Sequence, residues 1–454
     1  MYFQLFHKGI FITRLLRLDR CASLPGLPYS SNCISPDIVQ NFTPKKALLL
    51  SKMTKHEFLR SLEQCADEEH LNLALLRRGV DVDFLRYRHD LHCRKLSEIQ
   101  RTLRSRGLEV KVVGRSDYHV DAIAWADVVF TAGGDGTFLL GASKIHNRTK
   151  PLIGINTDPD FSYGYLCLPR SYTSNFHQAL DSLLAGNFEY FWRSRIRVTM
   201  WHHRDQPVKP GLLDKRRPVA TNGPDDFAPP VLDCSMASLI PQHARDQMIP
   251  TVLPVVALNE VYIGDALGAR VSHYEISVDG DASVRQKSSG ILVSTGTGST
   301  SWYKQVTAVS PQTVAHLLSL ARAVGYGGHN AKAPSPIERH YSSPPDQTNA
   351  FSHGVICLDS VAAEVARQYN DSLRLDPTDA RMAYVVRDPM CNAVFNVDKP
   401  RGLATNLQVR SLMLDAQLVF DGGYTYPFPY GSVAVFSTNE QDPLCCVRLR
   451  DCGS

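Results

Sequence analysis

The run Asp127-Val-Val-Phe-Thr-Ala132 passes without a break into Gly133-Gly-Asp-Gly-Thr137, and this junction restricts the fold more than any other segment. A short, near-continuous apolar run bounded by glycines is the pattern of a strand buried on both faces. The glycines end it in a tight turn, and Phe138 to Ile145 follows as a helix-like stretch. Around the junction, Lys46 to Leu50, Leu108 to Val113 and Pro151 to Asn156 read as strands. Leu91 to Arg106 reads as a helix, with Leu91, Leu96, Ile99 and Leu103 near one face and Gly107 as its C-cap. Strand, helix, strand, glycine loop, helix, strand predicts a parallel, Rossmann-like α/β sheet.

From Arg195 onward the pattern changes to β-rich segments: Arg195 to Trp201, Val255 to Ile263, His273 to Val278, Ile291 to Thr295 and Gln408 to Phe420. The expected organisation is a transit peptide and linker over 1–44, an α/β domain over 45–190, a β-rich, sandwich-like domain over 191–440, and a tail over 441–454. Two insertions are expected to be disordered within the second domain: about 202–254, which holds nine prolines, and about 325–354, rich in Gly, Pro, Ser, Asn and His.

Composition bears mainly on partners and compartment. At 454 residues, 43% hydrophobic and 21% charged, the chain can bury two or three cores. A formal charge of +4 is too weak for a nucleic-acid footprint. The eleven cysteines include no C-x-x-C pair, which argues against a zinc site or disulfide framework. The longest uncharged stretch, Gly422 to Asn439, is broken by Tyr, Pro, Gly and Ser and reads as strands and turns, so no membrane insertion is expected. The first twenty residues set Lys8, Arg14, Arg17 and Arg20 against the single acid Asp19. On a helix, Phe11, Leu15 and Leu18 would face away from those arginines, the pattern of a signal for import into the mitochondrial matrix. A frayed N-terminus is the alternative.

The Gly133–Thr137 string lies at the carboxyl end of a buried strand, where open α/β sheets bind ligands. Its backbone can approach a phosphate chain, and the following helix adds a positive dipole end. An acid in such a cradle needs a task. Asp135 can accept a proton from a hydroxyl attacking a phosphoryl group, or help hold Mg²⁺; alternatively it only caps the helix. His202-His203 and the pair His89 and His92 lack a third ligand at zinc-site spacing and read as surface residues.

Gly133-Gly-Asp-Gly-Thr137 resembles a loop shared by NAD kinases, by diacylglycerol and sphingosine-type lipid kinases, and by phosphofructokinases. Leu258-Asn-Glu-Val261 and Thr295-Gly-Thr-Gly-Ser-Thr300 resemble the Asn-Glu motif and second glycine-rich segment of the NAD kinases. Gly154-Ile-Asn-Thr-Asp-Pro159, Leu166-Cys-Leu-Pro169 and Gln286-Lys-Ser-Ser-Gly290 are similar to the mitochondrial branch of the animal enzymes. The resemblance implies ATP-dependent phosphorylation of NAD at the adenosine ribose 2′-hydroxyl. It makes Asp135 the catalytic base and Gly133, Gly134, Gly136 and Thr137 the phosphate-binding residues for ATP. Asn259, Glu260, Thr297, Ser299, Thr300 and Trp302 would bind NAD, with Mg²⁺ or another divalent cation held through the phosphates. A homodimer is also implied, and a lipid kinase is the alternative. The chain departs from the family's usual pattern at Ser301, and in a longer loop after Asn156 that carries Asp158 and Asp160. No substrate contact carries over into that loop, and Asp158-Pro159 reads as a turn.

Overall fold

Four strands, β1 (Lys46–Ser51), β2 (Glu109–Val113), β3 (Val128–Ala132) and β4 (Leu152–Ile155), form a parallel sheet in the order β2-β1-β3-β4. The computed structural model describes residues 42–63, 67–205, 208, 211–212, 238–325, 358–395, 397 and 399–449. The expected transit segment as far as residue 41, and the expected insertion from residue 326 on, lie outside them. Strands β3 and β4 are buried at every position, so the sheet must be covered on both faces.

The cover comes from α1 (Lys55–Glu63), α2 (Glu68–Arg77), α3 (Val82–Ser105), α4 (Val120–Trp125), α5 (Asp135–Ser143), α6 (Arg170–Ser174) and α7 (Phe176–Leu184). Ile99 and Leu103 of α3 and Ala179, Leu180 and Leu183 of α7 pack with Leu49, Phe130 and Ile153 on one face. Ala122 and Ile123 of α4 and Phe138 and Ala142 of α5 pack with Leu48, Val129 and Leu152 on the other. Helix α3 starts earlier than its apolar spacing suggests, because the Asp81 side chain accepts a hydrogen bond from the Phe84 amide at 2.9 Å. It ends as expected at Gly107, whose φ of 84° lets the Gly107 and Leu108 amides return to the carbonyls of Arg104 and Leu103.

The second lobe is antiparallel. Its strands, with two that join the lobes, are β5 (Phe188–Arg193), β6 (Ile196–His203), β7 (Gly211–Leu212), β8 (Met248–Val252), β9 (Glu260–Asp265), β10 (Ser272–Val278), β11 (Val284–Ser288), β12 (Gly290–Ser294), β13 (Met382–Arg387), β14 (Arg401–Ala404), β15 (Asn406–Ser411), β16 (Ala416–Phe420), β17 (Tyr424–Pro427), β18 (Val433–Thr438) and β19 (Leu444–Leu449). One sheet runs β11-β10-β15-β18-β6-β8 and the other β14-β13-β12-β9-β16-β17-β7. Both feed one core, in which Val198, Tyr274, Val409 and Phe436 meet Ile263, Val293, Leu418 and Phe420. This is a sandwich of two sheets. Helices α8 (Trp302–Thr307), α9 (Pro311–Ala323) and α10 (Leu358–Ser372) follow β12.

Three segments differ from the sequence reading. Residues 441–454, read as a tail, contain β19, whose Leu444 and Cys446 join the core of the parallel lobe while the strand pairs with β5. The insertion at 202–254 contains β8, which extends the first sheet from β6. The apolar segment Val255 to Ile263 becomes a strand only from Glu260. The lobes form one compact unit, and buried Arg195 locks them together. Its Nη1 donates to the carbonyls of Ala142 and Ile145 at 3.1 and 2.7 Å, and its Nε to that of Asp442 at 2.5 Å. A cation thus closes the carboxyl end of α5, where the helix dipole is negative.

Candidate functional site

Strand β3 delivers the chain into Gly133 and Gly134, and α5 begins at Asp135 with Gly134 as its N-cap and no side-chain capping bond. Asp135 does not cap its own helix. Its Oδ1 accepts from the Leu166 amide at 2.8 Å and its Oδ2 from the Tyr165 amide at 3.1 Å, both from the long loop after β4. The glycines divide by task. A Cβ on Gly133 would lie 2.2 Å from Thr137 Oγ1, whereas one on Gly136 would meet nothing within 4 Å. Gly136 therefore faces open space.

That space is a cleft of about 470 Å³ lined by Ser51 to Lys55, Phe58, Arg115, Gly134, Gly136, Thr137 and Leu140. Lys52, Lys55 and Arg115 bring three cations to the start of a helix, a combination suited to a polyphosphate. None of the three stood out in the sequence. The available signal for Lys52 was its position just past the carboxyl end of β1, beside the glycine loop. Burial lowers the Lys52 pKa, against the opposing pull of Asp158.

Across the lobe boundary, Asn259 and Glu260 are arranged by a residue 162 positions away from Asn259. Asp421, held at a φ of 46°, takes the Leu258, Asn259 and Glu260 amides on its carboxylate at 2.7, 2.8 and 3.0 Å. Burial pushes Asp421 up to about 6, outweighing the three amides, which act the other way. Burial, with the neighbouring Asp421 charge, pushes Glu260 up to about 8. Asn259 is not a strand residue, so these two side chains are not a simple inward and outward pair. Asn259 Oδ1 and Glu260 Oε2 are both buried without a hydrogen-bond partner. Two orphaned acceptors side by side are costly until a ligand brings hydroxyl donors.

The second glycine-rich segment is tied into the fold. Thr297, Ser299 and Thr300, the hydroxyl residues expected to bind NAD, each hydrogen-bond within the protein. Thr297 Oγ1 accepts from Arg193 Nη1 at 3.2 Å, and Thr300 Oγ1 donates to the Thr297 carbonyl at 3.1 Å. Ser299 Oγ donates to the Gly296 carbonyl at 2.6 Å and accepts from the Leu375 amide at 3.0 Å. Its glycines permit backbone contact: a Cβ on Gly296 would lie 1.8 Å from the Asp376 carbonyl, and one on Gly298 2.2 Å from that of Asn259. Trp302 is 36% exposed and tilted against Tyr262, with ring centroids 5.3 Å apart. It borders a pocket of about 300 Å³ with Glu260, Tyr262, Asp265 and Gly422.

The hollows form a series. Gly136 and Arg115 border both the cationic cleft and a pocket of about 170 Å³ between the lobes, which Asp421, Gly422 and Tyr424 close from the other side. Gly422 in turn borders the Glu260 and Trp302 pocket. The glycine loop, Glu260 and Trp302 thus border neighbouring hollows that share wall residues.

The histidines need correcting. His92 is buried, with Nε2 2.9 Å from Ser51 Oγ and Nδ1 2.9 Å from Thr157 Oγ1. Burial, aided by Lys52 and His89, pushes it down to about 3, so it is a neutral packing group. His202 is also buried, against Thr251 Oγ1 at 2.8 Å, and His89 is half-buried on Thr54 Oγ1. Only His203 of the four is exposed. Among the described residues no group of three or more His, Cys, Asp or Glu side chains could hold a metal ion.

Comparison with known proteins adds the following. No protein-family model matches the chain. It is 34% identical over 414 residues to the protein named NAD kinase 2, mitochondrial, of Homo sapiens, covering 90% of this chain and 85% of that one. The Xenopus tropicalis protein of the same name is 34% identical over 431 residues, covering 91% and 92%. An NAD kinase of Methanothermobacter thermautotrophicus is 26% identical over 228 residues, 50% of this chain and 54% of that one. Among solved structures, an Archaeoglobus fulgidus NAD kinase in complex with ATP overlays with a TM-score of 0.44 at 14% identity, covering 89% of this chain and 94% of that one.

Proposed function

The chain belongs to the NAD kinase family, and on that premise we propose which of its residues carry each part of the phosphorylation of NAD. ATP lies along the cationic cleft, its phosphates against the amides of Gly134 and Gly136 and beside Thr137, with Lys52, Lys55 and Arg115 offsetting their charge. A divalent cation enters with the nucleotide, as part of that substrate. NAD lies along the neighbouring hollows, where Asn259 and Glu260 accept from a ribose diol and Trp302 offers an aromatic face. The adenosine 2′-hydroxyl attacks the γ-phosphorus of ATP, its proton goes to Asp135, and ADP leaves.

The observation that carries this assignment is the pair of orphaned acceptors, Asn259 Oδ1 and Glu260 Oε2, the second of them lining a pocket that shares Gly422 with the hollow bordered by Gly136. Asp135 suits its part because two backbone amides fix its orientation. A carboxylate has roughly four lone-pair sites, so those bonds leave room for an incoming hydroxyl. Thr297, Ser299 and Thr300 act indirectly, by shaping the turn that seats Asn259 and Trp302. The lipid-kinase alternative has no support among the relatives, and no helix of the described residues is long and apolar enough to cross a membrane.

The acid-poor first twenty residues and the names of the relatives support import into the mitochondrial matrix, and residues 1–44 fused to a fluorescent reporter should go there. A homodimer is part of the same reading, to be checked by sedimentation. Purified full-length protein given NAD, ATP and Mg²⁺ should form NADP. Phosphorylation of diacylglycerol instead would overturn the assignment.

A further inference from the structure

The loop between β4 and α6 contacts the glycine loop at one end and a cleft residue at the other. At its far end the Tyr165 and Leu166 amides hold Asp135; near its start Asp158 pairs with Lys52, which lines the cationic cleft. Asp158 is 2% exposed. Its Oδ2 accepts from Lys52 Nζ at 3.5 Å and from both Nε, at 2.9 Å, and Nη2 of Arg88, while Oδ1 is buried without a partner. The turn itself is made by other atoms: the Asp158 amide donates to Asn156 Oδ1 at 3.0 Å, and the Asp158 carbonyl accepts from the Ser162 amide and hydroxyl, each at 3.1 Å. The turn does not need the Asp158 side chain. A carboxylate buried there is costly unless its charge is used, and it faces two cations, the Arg88 guanidinium and, on the cleft wall, the ammonium of Lys52.

We propose that Asp158 is a positioning residue for phosphoryl transfer, holding the Lys52 amine at the wall of the cleft that takes the phosphate chain of the donor, with Arg88 sharing the same carboxylate oxygen. The proposal rests on the assignment of that cleft to ATP. The charged or titratable groups facing Lys52 are Asp158 from the loop, Arg88 and His92 from α3, and Glu57 from α1. His92 is neutral. Burial lowers the Lys52 pKa most; Asp158 and Glu57 raise it and Arg88 lowers it. Removing Asp158 therefore makes Lys52 lose its proton at lower pH, and removing Arg88 makes it keep the proton to higher pH.

The test uses the full-length chain with NAD and ATP. Asp158→Asn should raise KM for ATP on the order of tenfold, the scale of a hydrogen bond to a charged group, and leave KM for NAD within twofold. The alkaline limb of kcat/KM for ATP, which reports the free enzyme, should move to lower pH in Asp158→Asn and to higher pH in Arg88→Gln. A merely structural role moves both limbs the same way or neither, and would sink the proposal. Lys52→Met should raise KM for ATP by itself, and adding Asp158→Asn to it should change nothing further. If Lys52→Met leaves KM for ATP unchanged, the assignment of the cleft fails. If it raises KM but Asp158→Asn multiplies the effect, the positioning role alone fails. Should Asp158→Asn not fold, Arg88→Gln decides: its shift of the limb must appear in wild type and vanish in the Lys52→Met background.

Discussion

The two glycine-rich segments look alike as strings, yet the fold uses them in opposite ways. In Gly133–Thr137 a glycine faces open space and the one acid turns away from its own helix toward the loop after β4. In Thr295–Thr300 the glycines stand where backbone meets backbone, and the hydroxyls are engaged within the protein. The first segment touches the ligand's space; the second builds the turn behind Asn259. Glycine content signals close approach, and only the neighbour at the missing Cβ says whether a ligand or the chain itself is approaching.

The largest effect should come from the acid of the first segment. Asp135→Asn keeps the shape but cannot take the proton, and loss of a general base costs on the order of 10² to 10⁴ in rate. The expected result is a collapse of kcat with ATP affinity retained, and a modest fall in Tm because the Asn NH2 faces one of the two backbone amides that the carboxylate accepts. A kcat within a few-fold of wild type would return Asp135 to a purely structural part.

Next come the glycines. Gly298→Ala puts a methyl 2.2 Å from the Asn259 carbonyl, where backbone must shift; overpacking of this kind costs roughly 1–3 kcal/mol or more, read as a fall in Tm with NAD affinity lost alongside. Gly136→Ala meets nothing and gains helix propensity of about 1 kcal/mol, so Tm should hold or rise. Its methyl projects into the cleft, so KM for ATP should increase. Equal losses of Tm in both variants would erase the distinction between the segments.

This contrast was not legible in the sequence, although the elements flanking it were. Strands β1, β3 and β4 announce themselves because burial on both faces leaves uninterrupted apolar runs such as Leu48 to Leu50 and Val128 to Phe130. The glycine loop was legible because it follows such a run. What escaped was long-range: Asp421 reaches the Asn-Glu segment from 162 residues away, and Asp158 meets Arg88 from 70 residues away. No local period encodes either contact. Strand β19 escaped because its apolar residues close the chain, where a tail is the default reading. His92 escaped because a lone polar residue in a helix pattern does not reveal the Ser51 and Thr157 hydroxyls that receive it.

A pH experiment sharpens how the second segment acts through its neighbour. Glu260 moves from the ordinary glutamate value near 4.5 to about 8 in the fold. A raised carboxyl pKa means that the folded protein binds the proton more tightly than the unfolded chain. The associated stability is therefore complete below about pH 4.5 and is lost as pH rises toward 8. Glu260→Gln removes that loss, so its Tm relative to wild type should be higher at pH 8.5 than at pH 5. Its KM for NAD should rise above pH 8, where the wild-type group is a carboxylate and a neutral amide is a weaker acceptor for the ribose hydroxyl. A Tm difference independent of pH would mean that Glu260 ionises freely and faces water.

The smallest effect is the most discriminating. Thr300 Oγ1 makes one bond, to the Thr297 carbonyl at 3.1 Å, within the turn. Thr300→Val keeps the volume and the β-branch and removes only that bond, a net contribution of about 1 kcal/mol. If the second segment works solely by shaping the turn, Tm should fall by a few degrees at most for a protein of this size, while KM for NAD, KM for ATP and kcat stay within twofold. If the hydroxyl instead turns to donate to NAD when the dinucleotide binds, the pattern reverses: KM for NAD rises roughly tenfold, since hydrogen bonds to a ligand are lost outright, and Tm of the free protein hardly moves. Thr300→Ser separates the two cases again, because it restores the hydroxyl without the methyl. It should recover KM for NAD only if the hydroxyl itself meets the ligand.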